Sequence, residues 1–193
     1  MAIIYAVRER TQSKTAMRKV MDYVIQDKKT MYDENENGQR CKLVSGQNCC
    51  GDTAFKEFMT TKRQYQKEKG VYFYQYIQSF KPGIHATPQE IHQMGVELAK
   101  YFKGYEVQIA THIDRDHWHN HLIVNSVSCE TGLKLQFNEK NLEQLRTLSD
   151  EICAVHGLEV LPPYQKPKQK PMGAGEYRAA VRGGSYKFKL MNA

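Results

Sequence analysis

The sequence predicts an α+β fold in which a central antiparallel β-sheet is flanked by helices and followed by a basic C-terminal extension. Three observations predict it. Short β-prone runs alternate with segments whose apolar residues recur at helical spacing. Two of the runs, 105–113 and 119–128, are separated only by a short polar loop, as antiparallel neighbours are. The composition, 40% hydrophobic and 25% charged over 193 residues, suits one packed domain with a modest extension. It excludes collagen-like, low-complexity and wholly disordered chains.

Each element has its own signal. Residues 3–7 are short and β-prone. Residues 13–28 place Met17, Val20, Met21 and Val24 at helical spacing. Residues 41–44 form a candidate strand. Asp52 or Thr53 caps a helix carrying Ala54, Phe55, Phe58 and Met59. Residues 71–80 read as an aromatic-rich strand, stopped by Lys81-Pro82-Gly83. Thr87-Pro88-Gln89-Glu90 is a capping box with proline at the first helical position. The helix it opens runs to Phe102, with Ile91, Met94, Leu98 and Tyr101 on one face, and Gly104 ends it. After the two strands comes a Thr131-Gly132 turn. Leu142, Leu145, Leu148, Ile152 and Val155 then mark a last amphipathic helix that ends at Gly157.

The net charge of +7 is unevenly placed. Residues 161–193 hold seven bases against the single acid Glu176, so this arm carries +6 and the body, 1–160, about +1. The arm also holds four of the six prolines. Residues 161–175 read as an extended basic linker, and 176–190 mix Arg178, Arg182 and Lys187 with aromatics. That mixture suits a phosphate backbone with stackable bases, or a crossing arm packed on the body. No apolar run approaches the ~20 residues of a membrane span, so no membrane insertion is expected. The five cysteines form no Cys-x-x-Cys pair, and Cys49 and Cys50 are adjacent. Reduced thiols in a cytoplasmic protein fit better than a disulfide scaffold. Residues 1–5 pass straight into charged sequence, so no secretory signal peptide is expected. The end at Ala193, inside basic sequence, reads as a domain cut from something longer.

The chemistry is concentrated at 112–125, His-Ile-Asp-Arg-Asp-His-Trp-His-Asn-His-Leu-Ile-Val-Asn, which contains four of the seven histidines. His119 and His121 are two apart and project from one face of a strand, with Asn125 on the same face. Antiparallel pairing about the loop at 114–118 brings His112 close to opposite His121. Three imidazoles then converge, as an open catalytic metal site requires. Asp114 and Asp116 are near enough to hold the second imidazole nitrogens. His117 falls off that face and reads as a substrate or structural contact. A structural zinc site and a pH-sensitive polar hairpin are the other readings of the cluster.

His112-x-Asp114-x-Asp116-His117-x-His119-x-His121-x-x-x-Asn125 resembles the third motif of the tyrosine relaxases, the MobA/MobL-like mobilization nucleases of the HUH endonuclease superfamily. Asn120 stands where many relatives carry a hydrophobic residue, a departure that leaves the His119/His121 face intact. Tyr76-Ile77-Gln78-Ser79-Phe80 resembles a second family motif, a strand closing in Ser-Phe. Met21-Asp22-Tyr23-Val24, followed by Asp27-Lys28-Lys29-Thr30, resembles the first, a tyrosine on an early helix. Gly175-Glu176-Tyr177-Arg178 is similar to the region after the nuclease core in Gram-positive members.

The resemblance implies the HUH relaxase fold over 1–160, with 161–193 as a DNA-binding arm. It implies a strand-specific nickase that cuts a transfer origin through a 5′-phosphotyrosine adduct, with Mn2+ or Mg2+ as the working ion. Tyr23 is then the nucleophile. Its helical-wheel position, about 110° from the centre of the apolar stripe, leaves burial and exposure both open. Ser79 positions DNA near the nick, or makes a strand-end turn bond. Trp118 stacks on a base or a ligand imidazole, or packs its loop. Bases near the nick splay onto aromatics such as those of strand 71–80, while the arm, through Arg178, Arg182 and Lys187, grips phosphates and possible hairpin DNA. Accessory relaxosome and coupling proteins are the implied partners. A rolling-circle replication initiator and a metal-dependent DNA hydrolase are the rival readings.

Overall fold

The structure is a computed structural model, and it describes residues 2–33 and 40–160. The basic arm, with Arg178, Arg182 and Lys187, lies outside the described residues. Along the chain run β1 (Ala2–Val7), α1 (Lys14–Val24), α2 (Asp27–Thr30), β2 (Met31–Asp33), β3 (Arg40–Lys42), β4 (Val44–Gln47), α3 (Ala54–Gln64), β5 (Phe73–Phe80), α4 (Pro88–Ala99), β6 (Tyr105–His112), β7 (His119–Ser128) and α5 (Glu139–Val155). Five strands form one antiparallel sheet in the order β1-β5-β7-β6-β4, and β2 and β3 pair as a separate ribbon. The α+β expectation is met. The predicted helix over 13–28 is divided: α1 stops at Val24, Gln26 is extended, and α2 brings the chain back. The candidate strand at 41–44 is also divided, between the ribbon and the main sheet.

Local chemistry sets the boundaries. Ser13 caps α1 by accepting from the Ala16 N–H. The predicted capping box opens α4, with the Thr87 side chain on the Glu90 N–H and Glu90 reaching back. Gly104 sits at φ +77 in the turn into β6, a conformation that favours glycine.

Alternation divides the sheet into two faces. Ile4, Tyr76, Leu122, Val124, Val107 and Ile109 point into a core closed by α4 and α5, which contribute Ile91, Met94, Leu98, Leu145 and Ile152. On the other face Ala110, Ile123 and Phe73 meet Met17, Met21 and Val24 of α1 and Phe58 and Met59 of α3. Tyr74 and Tyr76, whose pattern fits either core packing or base stacking, face the α4/α5 side. Tyr76 is buried against Phe102 and Phe137, so it is a core residue and offers no surface to DNA.

Both faces also contain buried polar groups. Under α4, the His92 ring lies 2.7 Å from both Ser45 Oγ and Thr111 Oγ1. Thr111 donates to Asn120 Oδ1, and Asn120 Nδ2 donates to Gln78 Oε1 and the Ile91 carbonyl. Asn120 thus has partners for both its carbonyl and its amide. A Cβ at Gly95 would stand 2.7 Å from its amide nitrogen, so glycine there lets α4 approach. Under α3, the fully buried Lys62 ammonium donates to Asn125 Oδ1 (2.5 Å) and Ser126 Oγ (2.9 Å), while Asn125 Nδ2 donates to Glu106. Burial pushes Lys62 down to about 7 and the Glu106 carboxyl up.

This second network fixes α3 on the sheet. Lys62→Met should lower stability by about 2–4 kcal/mol, because it strands buried acceptors. Urea unfolding should show the fall in midpoint, and adding Glu106→Gln should restore part of it.

Candidate active site

The β6–β7 register builds the site. His112 pairs directly with His119, and His121 pairs with Ala110. The expectation places His112 close to opposite His121; its direct partner is His119, two residues along β7 on the same face. The rings still converge: their centroids are 4.3 Å apart for His112–His121 and 4.9 Å for His112–His119 and His119–His121. One nitrogen from each ring lies within 4.8 Å of the others. His117 stays out of this cluster, as expected. Its carbonyl lies 3.2 Å from His119 Nδ1.

The second nitrogens are held differently from the expectation. His112 Nε2 donates to the Val24 carbonyl at 2.9 Å, and His121 Nδ1 lies 3.0 Å from the Gln75 amide. Asp114 and Asp116 hold none of the three imidazoles. Both lie in the exposed loop, where Asp114 faces Lys29 across 3.7 Å. Main-chain carbonyls and an amide do this work because they lie beneath the rings, whereas the loop carries the carboxylates past them.

The donor set fits a divalent transition metal. His121 Nε2 is buried and has no hydrogen-bond partner among the described residues, which is costly for a polar atom unless something binds it. Burial pushes all three imidazoles down, His112 to about 4, so they are neutral and able to ligate at pH 7. With His112 Nε2, His119 Nδ1 and His121 Nδ1 engaged elsewhere, the opposite nitrogen of each ring is left for the ion. Three imidazoles favour Mn2+ and later metals over the oxygen-preferring Mg2+.

Tyr23, at the end of α1, is 49% exposed and meets His112 edge-on, with centroids 6.0 Å apart. Of the two exposures its wheel position left open, the structure selects the open one. Its hydroxyl accepts from Lys29 Nζ at 2.9 Å. Ser79 pairs with His119 at the end of β5 and is half-buried beside the cluster. Trp118 packs against the α4/α5 core instead of a ligand ring, and it lines an open cleft of about 710 Å³ with Pro82, Ile84 and Asp114. Asn125 is on the predicted face but fully buried beneath α3, with its amide committed to Lys62, Glu106 and the Phe58 carbonyl. It is a structural residue and cannot touch DNA.

Three features escape the sequence reading. Gln75 shares the period-2 face of Ile77 and Ser79, which was the available signal. Lys29 lies within the quoted 27–30 stretch, but nothing in the spacing turns it back to Tyr23. Ile3 and Tyr5 stand in register with Ser79 and Ile77, and through them with His119 and His121. They remain 52% and 45% exposed, so the edge strand of this sheet face is open, next to the half-buried Ser79 and the buried Ile77.

Gln75→Ala should weaken Mn2+ binding by roughly 10- to 100-fold, because a ligand ring loses its support. His117→Ala should leave it unchanged. Electron paramagnetic resonance of free Mn2+ during titration distinguishes the two.

Comparison with known proteins agrees with this geometry. The profile of the MobA/VirD2-like relaxase nuclease domain matches residues 23–158. A Protein rlx of Staphylococcus aureus is 44% identical over 123 residues, covering 63% of this chain and 39% of that protein. The group II intron-interrupted relaxase LtrB of Lactococcus lactis is 42% identical over 86 residues, 44% of this chain and 15% of that protein. The chain thus spans about two fifths of the length of the first of these relatives. A Mn-bound crystal structure of the MobM relaxase domain with plasmid pMV158 oriT DNA superimposes with a TM-score of 0.58 at 11% identity, covering 93% of this chain and 98% of that one, which establishes the shared fold. With more than half of its length matched by the family profile, the chain belongs to the MobA/VirD2-like relaxase family through its nuclease domain.

Proposed function

We propose that this domain nicks single-stranded DNA at a transfer origin by tyrosine transesterification, as the cutting part of a relaxase for conjugative transfer or mobilization. One observation carries the reading: a half-exposed tyrosine from α1 meets a three-imidazole cluster built by strands that follow it by about ninety residues. Family membership and the DNA-bound fold neighbour support it.

In this mechanism Tyr23 Oη bonds to the scissile phosphorus as the bond from phosphorus to the 3′ oxygen breaks. The 5′ end stays on the tyrosine and a 3′ hydroxyl is released. The phosphodiester energy is kept, so rejoining needs no nucleotide cofactor. When held by His112, His119 and His121, Mn2+ or Mg2+ supplies positive charge to the non-bridging phosphate oxygens. Edge-on packing against His112 aims the Tyr23 ring. In this reading the side chains of Ser79, His117 and Trp118 contact the strand, with Ser79 half-buried beside the cluster and His117 exposed in the adjoining loop.

The open edge strand offers a track for bases. Ile3 and Tyr5 present apolar and aromatic surface in line with His119 and His121, which suits splayed bases. The arm at 161–193, with Arg178, Arg182 and Lys187, supplies phosphate contacts by its charge and completes a two-part arrangement, nuclease domain and arm. Accessory relaxosome and coupling proteins are the protein partners in this reading. Five free cysteines suit the cytoplasm, and among the described residues no helix is long and apolar enough to cross a membrane.

Incubation with Mn2+ and a single-stranded oligonucleotide spanning the transfer origin of the encoding element should give a protein–DNA adduct on a denaturing gel. Tyr23→Phe should abolish it. Cleavage without an adduct points instead to hydrolysis, and an adduct that survives Tyr23→Phe assigns the nucleophile elsewhere.

DNA binding should separate into the same two parts. Tyr5→Ala should cost about 1–3 kcal/mol of affinity for the oligonucleotide with little change in salt dependence. Deleting 161–193 should flatten the salt dependence, by about 0.7 in log–log slope for each lost phosphate contact. Fluorescence anisotropy from low to moderate salt reads both.

A further inference from the structure

Lys29 donates a hydrogen bond to the hydroxyl of Tyr23. Its side chain is 9% exposed, and its ammonium sits 2.9 Å from Tyr23 Oη, 4.2 Å from the centroid of that ring and 3.7 Å from Asp114 Oδ2. A buried ammonium normally draws a carboxylate to about 2.7–2.9 Å. Here the phenol holds the closer place, and the carboxylate stands back in the loop. The backbone fixes the position from two sides. The Lys29 N–H donates to the Gln26 carbonyl in the turn after α1, and the Lys29 carbonyl accepts from the Ile113 N–H, directly after His112. The side chain is therefore held between the helix end that carries Tyr23 and the strand end that carries His112.

A neutral phenol is a poor nucleophile, and the same oxygen must leave as a phenolate when the strand is rejoined. Charge develops on the same oxygen in both directions, and a preorganised cation beside it acts in both. Resting on the relaxase reading above, we propose that Lys29 is a catalytic residue: its ammonium holds the Tyr23 hydroxyl for attack and stabilises negative charge on that oxygen in both cleavage and rejoining. In cleavage the Oη–P bond forms and the P–O3′ bond breaks. The phenol proton leaves to solvent, which the half-exposed ring reaches, and the departing 3′ oxygen takes a proton from solvent. Lys29 stays protonated throughout, so proton and charge balance are kept. A lysine suits this role because it offers a compact charge and freely rotating donors, where arginine presents a wide planar fork.

The test uses the full chain with Mn2+ and the origin oligonucleotide, comparing wild type, Lys29→Met and Lys29→Arg in single-turnover adduct formation. Rejoining is measured separately, by chasing purified adduct with a 3′-hydroxyl strand. Lys29→Met should slow both steps by about 100-fold, as loss of one oxyanion donor does elsewhere. DNA affinity, Mn2+ affinity and melting temperature should stay close to wild type. Lys29→Arg should recover part of the rate because it keeps the charge. An adduct formed by Lys29→Met at the wild-type rate overturns the proposal and leaves the relaxase reading standing. So does a rate loss matched by lost DNA affinity, or a loss equal in Lys29→Arg. Absence of any adduct in the wild type overturns the relaxase reading and this proposal with it.

Discussion

One hydrogen bond organises the site. The last carbonyls of a helix have no intrahelical donor. In α1 one of them, that of Val24, accepts from His112 Nε2 at 2.9 Å. The bond has three consequences. It satisfies a buried main-chain acceptor, it fixes the tautomer that leaves His112 Nδ1 free for a metal, and it ties the residue after Tyr23 to a member of the imidazole cluster. Tyr23 and the three histidines come from distant parts of the chain, and this contact sets their spacing. The break after α1 belongs to the same arrangement: Gln26 turns the chain so that Lys29 comes back beneath Tyr23.

The sheet supports the site with polar groups as well as apolar ones. Asn120, between two cluster histidines, points to the far face and is held by Thr111, Gln78 and the Ile91 carbonyl. Two residues past Ile123 on the near face, Asn125 is held by Lys62 and Glu106. Each network has directional partners, so β7 cannot slip against its neighbours without stranding several buried groups. A one-residue slip would also turn the histidines into the α4/α5 core. The geometry of the rings therefore rests on residues that touch neither metal nor DNA.

Much of this could be read from residues alone, and the errors have physical causes. The period-2 placement of His119 and His121 is intrinsic to a strand, so their shared face was legible. The partner of His112 depends on how many residues the 113–118 loop consumes, which alternation does not encode, and the direct partner is His119, two residues before His121. Alternation correctly put Asn125 on the histidine face but could not reveal that α3 covers that end of the sheet. For the tyrosines of 71–80 alternation left core packing and base stacking both open; β5 is an interior strand with α4 and α5 packed over one side, and that puts Tyr76 in the core. Lys29 could not be found from its own segment, because its role exists only after the chain reverses at Gln26. Residues 3–7 were recognised as a strand, but its exposed row follows from β1 lying at the sheet edge.

The account stands on Tyr23 as the residue that takes the DNA. The most direct measurement is tryptic digestion of the Mn2+-dependent adduct, followed by nuclease trimming and mass spectrometry. The account predicts a nucleotide on the peptide spanning 20–28, carried by Tyr23. A nucleotide on any other tyrosine, or cut DNA with an unmodified 20–28 peptide, would contradict it.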